Sequence, residues 1–427
     1  MAARVSRRHV LRYGAGWAAA MAVPWRAAAQ PKTPPSNRIT MGAIGLGGQG
    51  THNLKSFLTF NDVQVLAVCE VDSNRRRAAK NLVDAAYGNQ SCAAYNDFRD
   101  ILARDDIDTV LIATPDHWHA ILAIEAAKAG KDIYCEKPIS LTVAEGRAVV
   151  ETMKRYGTVY QSGTQRRSIA SFRFGVDIAR SGMLGRLQTL HCYYDHGPTC
   201  PPQRPEPVPQ GFDYDRWLGP APYEPYTPLR CHVNFRWIYD YSGGQLTDLG
   251  AHFTDLAQWA HGDELTGPTH FEGRAEFPRD GLYNTPVRFE VVATYPDGVR
   301  IVMHDETEPG RGPRGNKFVG TDGWVSVDDT GKITASSDAI LRQFKTTQHG
   351  YEYMEGHHRD FLTCVRTRGR TIAPPEVAHR STTTCHVANI CLRLGRPLTW
   401  DPAAERFVND PMADGMLARA MRSPWRL

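Results

Sequence analysis

The run Gly45-Leu46-Gly47-Gly48-Gln49-Gly50 has the G-x-G-x-x-G spacing that accommodates the pyrophosphate of a dinucleotide. The first glycine permits a tight turn, the second lets backbone amides approach the phosphates, and the third allows close packing of helix on sheet. A helix opening at Gln49 turns its free N–H groups and partial positive charge toward the same anion. Glu70 ends the next apolar run, about 20 residues on, where a carboxylate accepts hydrogen bonds from ribose hydroxyls. Such a carboxylate repels a 2′-phosphate, so the expected cofactor is NAD. Arg75, Arg76 and Arg77 read as the solvated start of a helix, but as a potential phosphate clamp they leave NADP open. A second reactive pair lies far downstream. In residues 246–260, Leu246, Leu249, Phe253, Leu256 and Ala260 recur at helical spacing, which puts Asp248 and His252, at i and i+4, together on another face.

These groups need a scaffold, and the pattern supplies one. Between Arg38 and about Thr158, short apolar runs (39–44, 63–69, 109–113, 133–135 and 158–161) alternate with helical stretches such as 98–104 and 119–129. That is the signature of a doubly wound parallel sheet, a Rossmann domain over 38–158. Beyond it, alternating runs at 187–194, 287–295, 299–304 and 324–327 predict an open, largely antiparallel sheet with a few helices, a second α/β domain over 159–401 followed by a tail at 402–427. Ten of the 28 prolines fall in 198–228, which predicts a long ordered loop. Trp217, Tyr223, Tyr226, Phe235, Trp237, Tyr239 and Tyr241 follow; such aromatics stack on sugar rings but more often fill cores.

With 41% apolar and 22% charged residues, the chain of 427 residues is neither disordered nor collagen-like. No apolar run reaches the roughly 20 residues that span a bilayer. The formal charge of +4 owes five arginines to the first 29 residues, and without them nucleic-acid binding loses its electrostatic footprint. Ser6-Arg7-Arg8-His9-Val10-Leu11-Arg12, the short apolar stretch 13–25 and Ala27-Ala28-Ala29 resemble a twin-arginine export signal with its cleavage site, followed by a linker at 30–37. The expected location is therefore periplasmic. Nine cysteines are too sparse for a disulfide scaffold, although Cys192, Cys200 and Cys231 leave room for one bridge.

Four further motifs complete a pattern: Tyr95-Asn96-Asp97-Phe98, Ala113-Thr114-Pro115 followed by His119, Cys135-Glu136-Lys137-Pro138, and Gly243-Gly244-Gln245-Leu246-Thr247-Asp248-Leu249-Gly250-Ala251-His252. With the glycine run, they make residues 38–401 resemble the Gfo/Idh/MocA oxidoreductases, named for glucose–fructose oxidoreductase and inositol dehydrogenase. The resemblance extends to His357-His358-Arg359-Asp360-Phe361 and a helical stretch at 375–394. It implies that Lys137, Asp248 and His252 lie in the catalytic cleft, and that Thr114, Pro115, His119 and Glu136 join the glycine run and Glu70 around the nucleotide. It also implies a homo-oligomer assembled through the open sheet. Asp116-His117-Trp118-His119 invites a metal reading, but His119 belongs to the family's T-P-x-x-x-H pattern, so no metal is expected. Gln165-Arg166-Arg167 enters the second domain near the cleft, to touch ligand or to bridge domains.

The implied reaction is hydride transfer from a sugar or polyol hydroxyl carbon to nicotinamide. In it His252 takes the hydroxyl proton, Lys137 stabilises the developing alkoxide, and Asp248 orients His252 or binds a neighbouring hydroxyl. The alternative is a redox-neutral enzyme that retains NAD, cleaving a glycoside through a transient keto-sugar or coupling two half-reactions. A non-catalytic sugar- or nucleotide-binding protein is the third reading. Replacing both Arg7 and Arg8 by Lys is expected to leave uncleaved precursor in the cytoplasm; immunoblots of cell fractions check this, and unchanged export contradicts it.

Overall fold

The computed structural model describes residues 37–305, 314–344 and 355–427. The arginine-bearing leader and all but the last residue of the linker lie outside them. The chain begins with strand–helix alternation: β1 (Ile39–Ile44), α1 (Gly48–Phe57), β2 (Val63–Cys69), α2 (Ser73–Tyr87), β3 (Ala93–Tyr95), α3 (Phe98–Leu102), β4 (Thr109–Ile112), α4 (Asp116–Lys128), β5 (Asp132–Cys135), α5 (Val143–Tyr156) and β6 (Tyr160–Ser162). It continues with α6 (Ala170–Arg180), β7 (Leu187–Tyr193), α7 (Tyr214–Leu218), α8 (Gln245–Asp248), α9 (Gly250–His261), β8 (His270–Glu276), β9 (Arg288–Thr294), β10 (Arg300–His304), β11 (Gly315–Gly320), β12 (Trp324–Asp328), β13 (Ile333–Ala335), α10 (Asp338–Phe344), α11 (Glu355–Thr367), α12 (Pro375–Leu394), β14 (Leu398–Asp401), β15 (Arg406–Phe407) and α13 (Pro411–Asp414).

Among the described residues the strands form two sheets. The first is parallel, in the order β3-β2-β1-β4-β5-β6, and reverses between β1 and β4. Ligands bind such sheets at the carboxyl ends of the strands beside that reversal. The helices between them are set by local chemistry. The Asp72 side chain caps α2 by accepting from the Asn74 and Arg75 amides, and Thr142 caps α5 by accepting from the Glu145 amide. The second sheet is mixed, in the order β13-β12-β11-β7-β10-β9-β8-β14-β15, with β7 and β10 parallel and the other pairs antiparallel. Its apolar face packs under α6, α9 and α12. The opposite face keeps alternate residues half-exposed, as at Glu290, Val292 and Thr294 of β9.

Several expected boundaries move. The parallel sheet passes the expected limit at 158, because its edge strand β6 is short and begins at Tyr160. The helix expected over 246–260 is interrupted at Leu249, where the short turn α8 ends before Gly250 opens α9 against Cys385 of α12. Residues 402–427 are not a loose tail: β15 pairs with β14, and Phe407 and Ala413 are buried in the second core. Part of the second half returns to the first. Phe361 of α11 is buried in the first domain's core, and the Arg359 guanidinium donates twice to the Asp62 carboxylate, at 2.8 and 2.9 Å. All nine cysteines are free and buried, so the bridge left open for Cys192, Cys200 and Cys231 does not form.

Two glycines hold the crossing of β1, α1 and β4. Gly45 has φ +81°, and a Cβ there would lie 2.6 Å from the Thr114 amide nitrogen; a Cβ on Gly50 would lie 1.9 Å from the Gly45 carbonyl oxygen. Gly48, by contrast, faces open space. Gly50→Ala is expected to cost at least about 1 kcal/mol of unfolding free energy, and Gly48→Ala far less. Urea midpoints of the nucleotide-free variants check this, and equal midpoints contradict it.

Candidate active site

A cavity of about 500 Å³ opens at the carboxyl ends of the parallel strands, between the two sheets. Of the residues expected there, Gly45, Gly47, Gly48, Gln49, Glu70, Thr114, Pro115, Glu136, Lys137, Asp248 and His252 line it. Leu46, Gly50 and His119 do not. Leu46 is buried, and its amide donates to Glu70 Oε2 at 2.6 Å, which ties the glycine turn to the end of β2. Gly50 serves the helix crossing. The His119 ring lies 2.7 Å from the Pro138 carbonyl and 2.9 Å from the Thr114 carbonyl, so it braces two cavity loops from behind.

The glycine end fits a dinucleotide. No side chain caps α1, Gly47 and Gly48 leave its first turn bare to the cavity, and a Cβ on Gly45 or Gly50 would disrupt the turn that presents it. Glu70 Oε1 accepts from the Asp72 amide at 3.1 Å, so both of its oxygens are anchored at the rim. Burial raises the Glu70 carboxyl above its ordinary value, against the pull of the two amides and Arg75. The three arginines after β2 are not one solvated group. Only Arg77 is exposed, whereas Arg75 lines the cavity and Arg76 donates to the Glu70 carbonyl and the Asn96 side chain. Compact return of the chain around Asn96 draws them in, which propensity alone does not reveal.

At the other end, Lys137 Nζ donates to Asp248 Oδ1 and to the Asp248 carbonyl, each at 2.6 Å. Arg236 Nε lies 3.1 Å from the same Oδ1. Burial alone would raise the Asp248 carboxyl, but the Lys137 and Arg236 charges outweigh it and hold the group below the ordinary carboxylate range. Of the two roles left open for Asp248, the one that orients His252 is therefore not built: the helix break turns Asp248 to two cations, whose charge-assisted hydrogen bonds are stronger than one to a neutral ring. His252 is buried, and its Nδ1 has no hydrogen bond among the described residues. Burial pushes its imidazole well below the usual value, and the Arg166 and Lys137 cations add to that, so the ring is neutral near pH 7.

Glu136 is a structural hub beneath this corner. Its Oε1 accepts from Asn53 Nδ2 (2.7 Å), Gln165 Nε2 (2.8 Å) and Gln49 Nε2 (3.2 Å), linking β5, α1 and the entry to the second domain. Arg166 lines the cavity and pairs with Asp329, while Arg167 is bound by Asp255 and Glu264. Asp116 faces the cavity and accepts from Ser242 Oγ; burial pushes its carboxyl up to about 7 against that hydrogen bond. His117 Nε2 lies 3.0 Å from the Trp217 carbonyl, and among the described residues no group of His, Cys, Asp or Glu is placed to hold a metal ion. Of the aromatic group, Trp217 and Phe235 reach the cavity, Tyr226 and Tyr241 fill a satellite core, and Tyr223 is exposed. Sequence reasoning missed Arg236, which no motif marks, and the cavity role of Asp116.

The fold and cavity define a two-domain dinucleotide-binding α/β protein. Residues 39–164 match the model described as "Oxidoreductase family, NAD-binding Rossmann fold", and residues 197–427 match "Oxidoreductase family, C-terminal alpha/beta domain" of the same group. The chain belongs to the Gfo/Idh/MocA oxidoreductase family, and its first domain is an NAD-binding Rossmann domain. A glycosyl hydrolase family 109 protein of Shewanella pealeana is 34% identical over 145 residues, 32% of either chain. That match thus spans about a third of the relative's length. A myo-inositol 2-dehydrogenase of Thermotoga maritima is 25% identical over 53% of this chain and 56% of its own. The fold is shared with the WlbA dehydrogenase of Bordetella pertussis, solved with NADH and UDP-GlcNAcA (TM-score 0.65, 16% identity, 85% of this chain and 99% of that one).

Glu70→Ala is expected to weaken NAD binding by about 1.5–3 kcal/mol, the range for hydrogen bonds with a charged partner. It is also expected to narrow the preference over NADP. Calorimetric titration of both nucleotides checks this, and unchanged affinities contradict it.

Proposed function

We propose that the protein catalyses NAD-linked oxidoreduction at a hydroxyl-bearing carbon of a sugar, polyol or glycoside. The observation that carries this reading is a buried His252 sharing one cavity with the Lys137–Asp248 ion pair and the glycine turn. Bound along the turn and Glu70, the nicotinamide nucleotide supplies the two-electron acceptor. His252 takes the hydroxyl proton, which only an unprotonated imidazole can do. Lys137, held by Asp248, donates a hydrogen bond to the reacting oxygen as negative charge develops there. Asp248, already committed to Lys137 and Arg236, acts through them rather than through His252.

A second reading, redox-neutral cleavage of a glycoside, is favoured by the relative named for glycosyl hydrolase family 109. Transient oxidation of the substrate acidifies the hydrogen beside the new carbonyl; its removal expels the leaving group, water adds, and reduction restores the alcohol. The periplasmic location expected from the twin-arginine-like leader favours the same reading, because no soluble NAD pool is expected there to exchange a spent cofactor. In deuterated water this route leaves carbon-bound deuterium in the product without net NADH. Accumulation of NADH one for one, with no deuterium, supports simple dehydrogenation.

The half-exposed face of the second sheet supports assembly of copies through it. Light scattering of purified protein is expected to give more than one chain per particle, and a monomer contradicts it. His252→Ala is expected to lower turnover by about 10²- to 10⁴-fold and to leave nucleotide affinity nearly unchanged. In nitrogen NMR spectra, the His252 ring is expected to remain neutral as pH falls through 6.5. Protonation at or above that pH contradicts the depression that burial and the neighbouring cations impose on the ring.

A further inference from the structure

The cavity continues past Glu70, away from Lys137, to a wall that includes Phe98, Trp118, Phe212, Arg216 and Trp425. Three distant parts of the chain meet there. Phe98 and Trp118 belong to α3 and α4. Phe212 and Arg216 come from the proline-rich segment of the second domain, and Trp425 from the C-terminal segment. The Trp425 ring packs edge-on against Trp118 (centroids 4.7 Å apart, 77° between planes) and lies 6.2 Å from Phe98. It nevertheless remains half-exposed and faces the cavity.

The proline-rich segment is pinned to the rim where β2 and β3 end. The Ser73 amide donates to the Gly211 carbonyl at 2.9 Å, the Asp213 amide to the Val71 carbonyl at 3.0 Å, and Asn96 Nδ2 to Asp213 Oδ2 at 2.6 Å. The C-terminal segment is anchored just before Trp425: Arg419 Nε donates to Glu145 Oε1 at 2.6 Å, and Arg422 Nε to the Gly219 carbonyl at 3.0 Å. In a Rossmann domain the acid ending the second strand binds the adenosine ribose, so the base lies beyond that acid, away from the reacting end. Here that position is an aromatic recess in which Phe98 and Trp118 of the first domain are joined by Phe212, Arg216 and Trp425, which the first domain does not supply.

We propose that Trp425 forms one wall of the adenine pocket, and that the 211–217 strap and the C-terminal segment together close over the adenosine half of the nucleotide. Purine faces gain from aromatic contact whatever their hydrogen bonding. Release of the nucleotide then requires both segments to loosen, so the pocket slows dissociation. This rests on the reading of the cavity as a dinucleotide site and deepens it toward a retained cofactor.

The test uses the full chain, stripped of nucleotide, as wild type, Trp425→Ala and Trp425→Phe. Each is titrated with NADH and with reduced nicotinamide mononucleotide, which lacks adenosine, and NADH release is followed during a chase with excess NAD. Trp425→Ala is expected to weaken NADH about tenfold or more and to speed its release, with Trp425→Phe recovering most of the loss and mononucleotide affinity unchanged. In the wild type, whose folding is not in question, NADH but not the mononucleotide is expected to slow amide hydrogen exchange in 211–218 and 415–427. Unchanged NADH affinity in Trp425→Ala, equal weakening of both ligands, or unaltered exchange in those segments overturns the proposal. A wild type that binds neither ligand refutes the dinucleotide reading instead. One that binds NADH through Trp425 but releases it within a turnover keeps the pocket and removes the retention.

Discussion

At the floor of the cleft the two domains are joined by the charge pair of Lys137 on Asp248, and the chemistry of the cleft follows from it. Both side chains are largely removed from solvent, at 12% and 19% exposure. In such surroundings hydrogen bonds strengthen, and an unpaired charge is costly. The pair therefore fixes where the end of β5 stands relative to the turn before α9. It also sets the local field. The Arg166 and Lys137 cations both act on His252 and disfavour a positive charge there. Burial, with that field added to it, keeps the ring neutral, and the field favours negative charge on a substrate oxygen. One arrangement supplies both the base and the stabilising donor.

The rest of the fold works to keep that corner closed. Glu136, next to Lys137, gathers amides from α1 and from Gln165, so the nucleotide turn and the entry to the second domain share one carboxylate. His119 braces the Thr114 and Pro138 carbonyls behind the cavity. Further out, α11 returns to pack Phe361 into the first domain's core. The C-terminal segment returns as well, to Glu145 and to the rim around Trp118. Neither half of the chain is complete alone, because each buries residues contributed by the other.

What the sequence reveals divides along the range of the interactions involved. The nucleotide turn was legible because it is local: an apolar strand, three spaced glycines, a helix, and an acid at the end of the next strand. Lys137, Asp248 and His252 were placed in one cleft through family resemblance, and the geometry brings all three to one cavity. The partner of Asp248 was not legible. Helical spacing pointed to His252, whereas the carboxylate reaches a lysine 111 residues away, across a helix break that the apolar periodicity masks. Arg236 and Trp425 had no signal at all, because each acquires its role only when a distant segment folds back onto the first domain. Arg75 and Arg76 were misread for the same reason.

A double-mutant cycle on the charge pair tests the account most directly. Turnover is measured for wild type, Lys137→Ala, Asp248→Ala and the double variant, with folding monitored by circular dichroism. If Lys137 works only as Asp248 holds it, each single change is severe and the double variant loses little more than the worse single one, a strongly non-additive outcome. Losses that multiply in the double variant would mean that the two residues act independently, and would contradict the cleft as described.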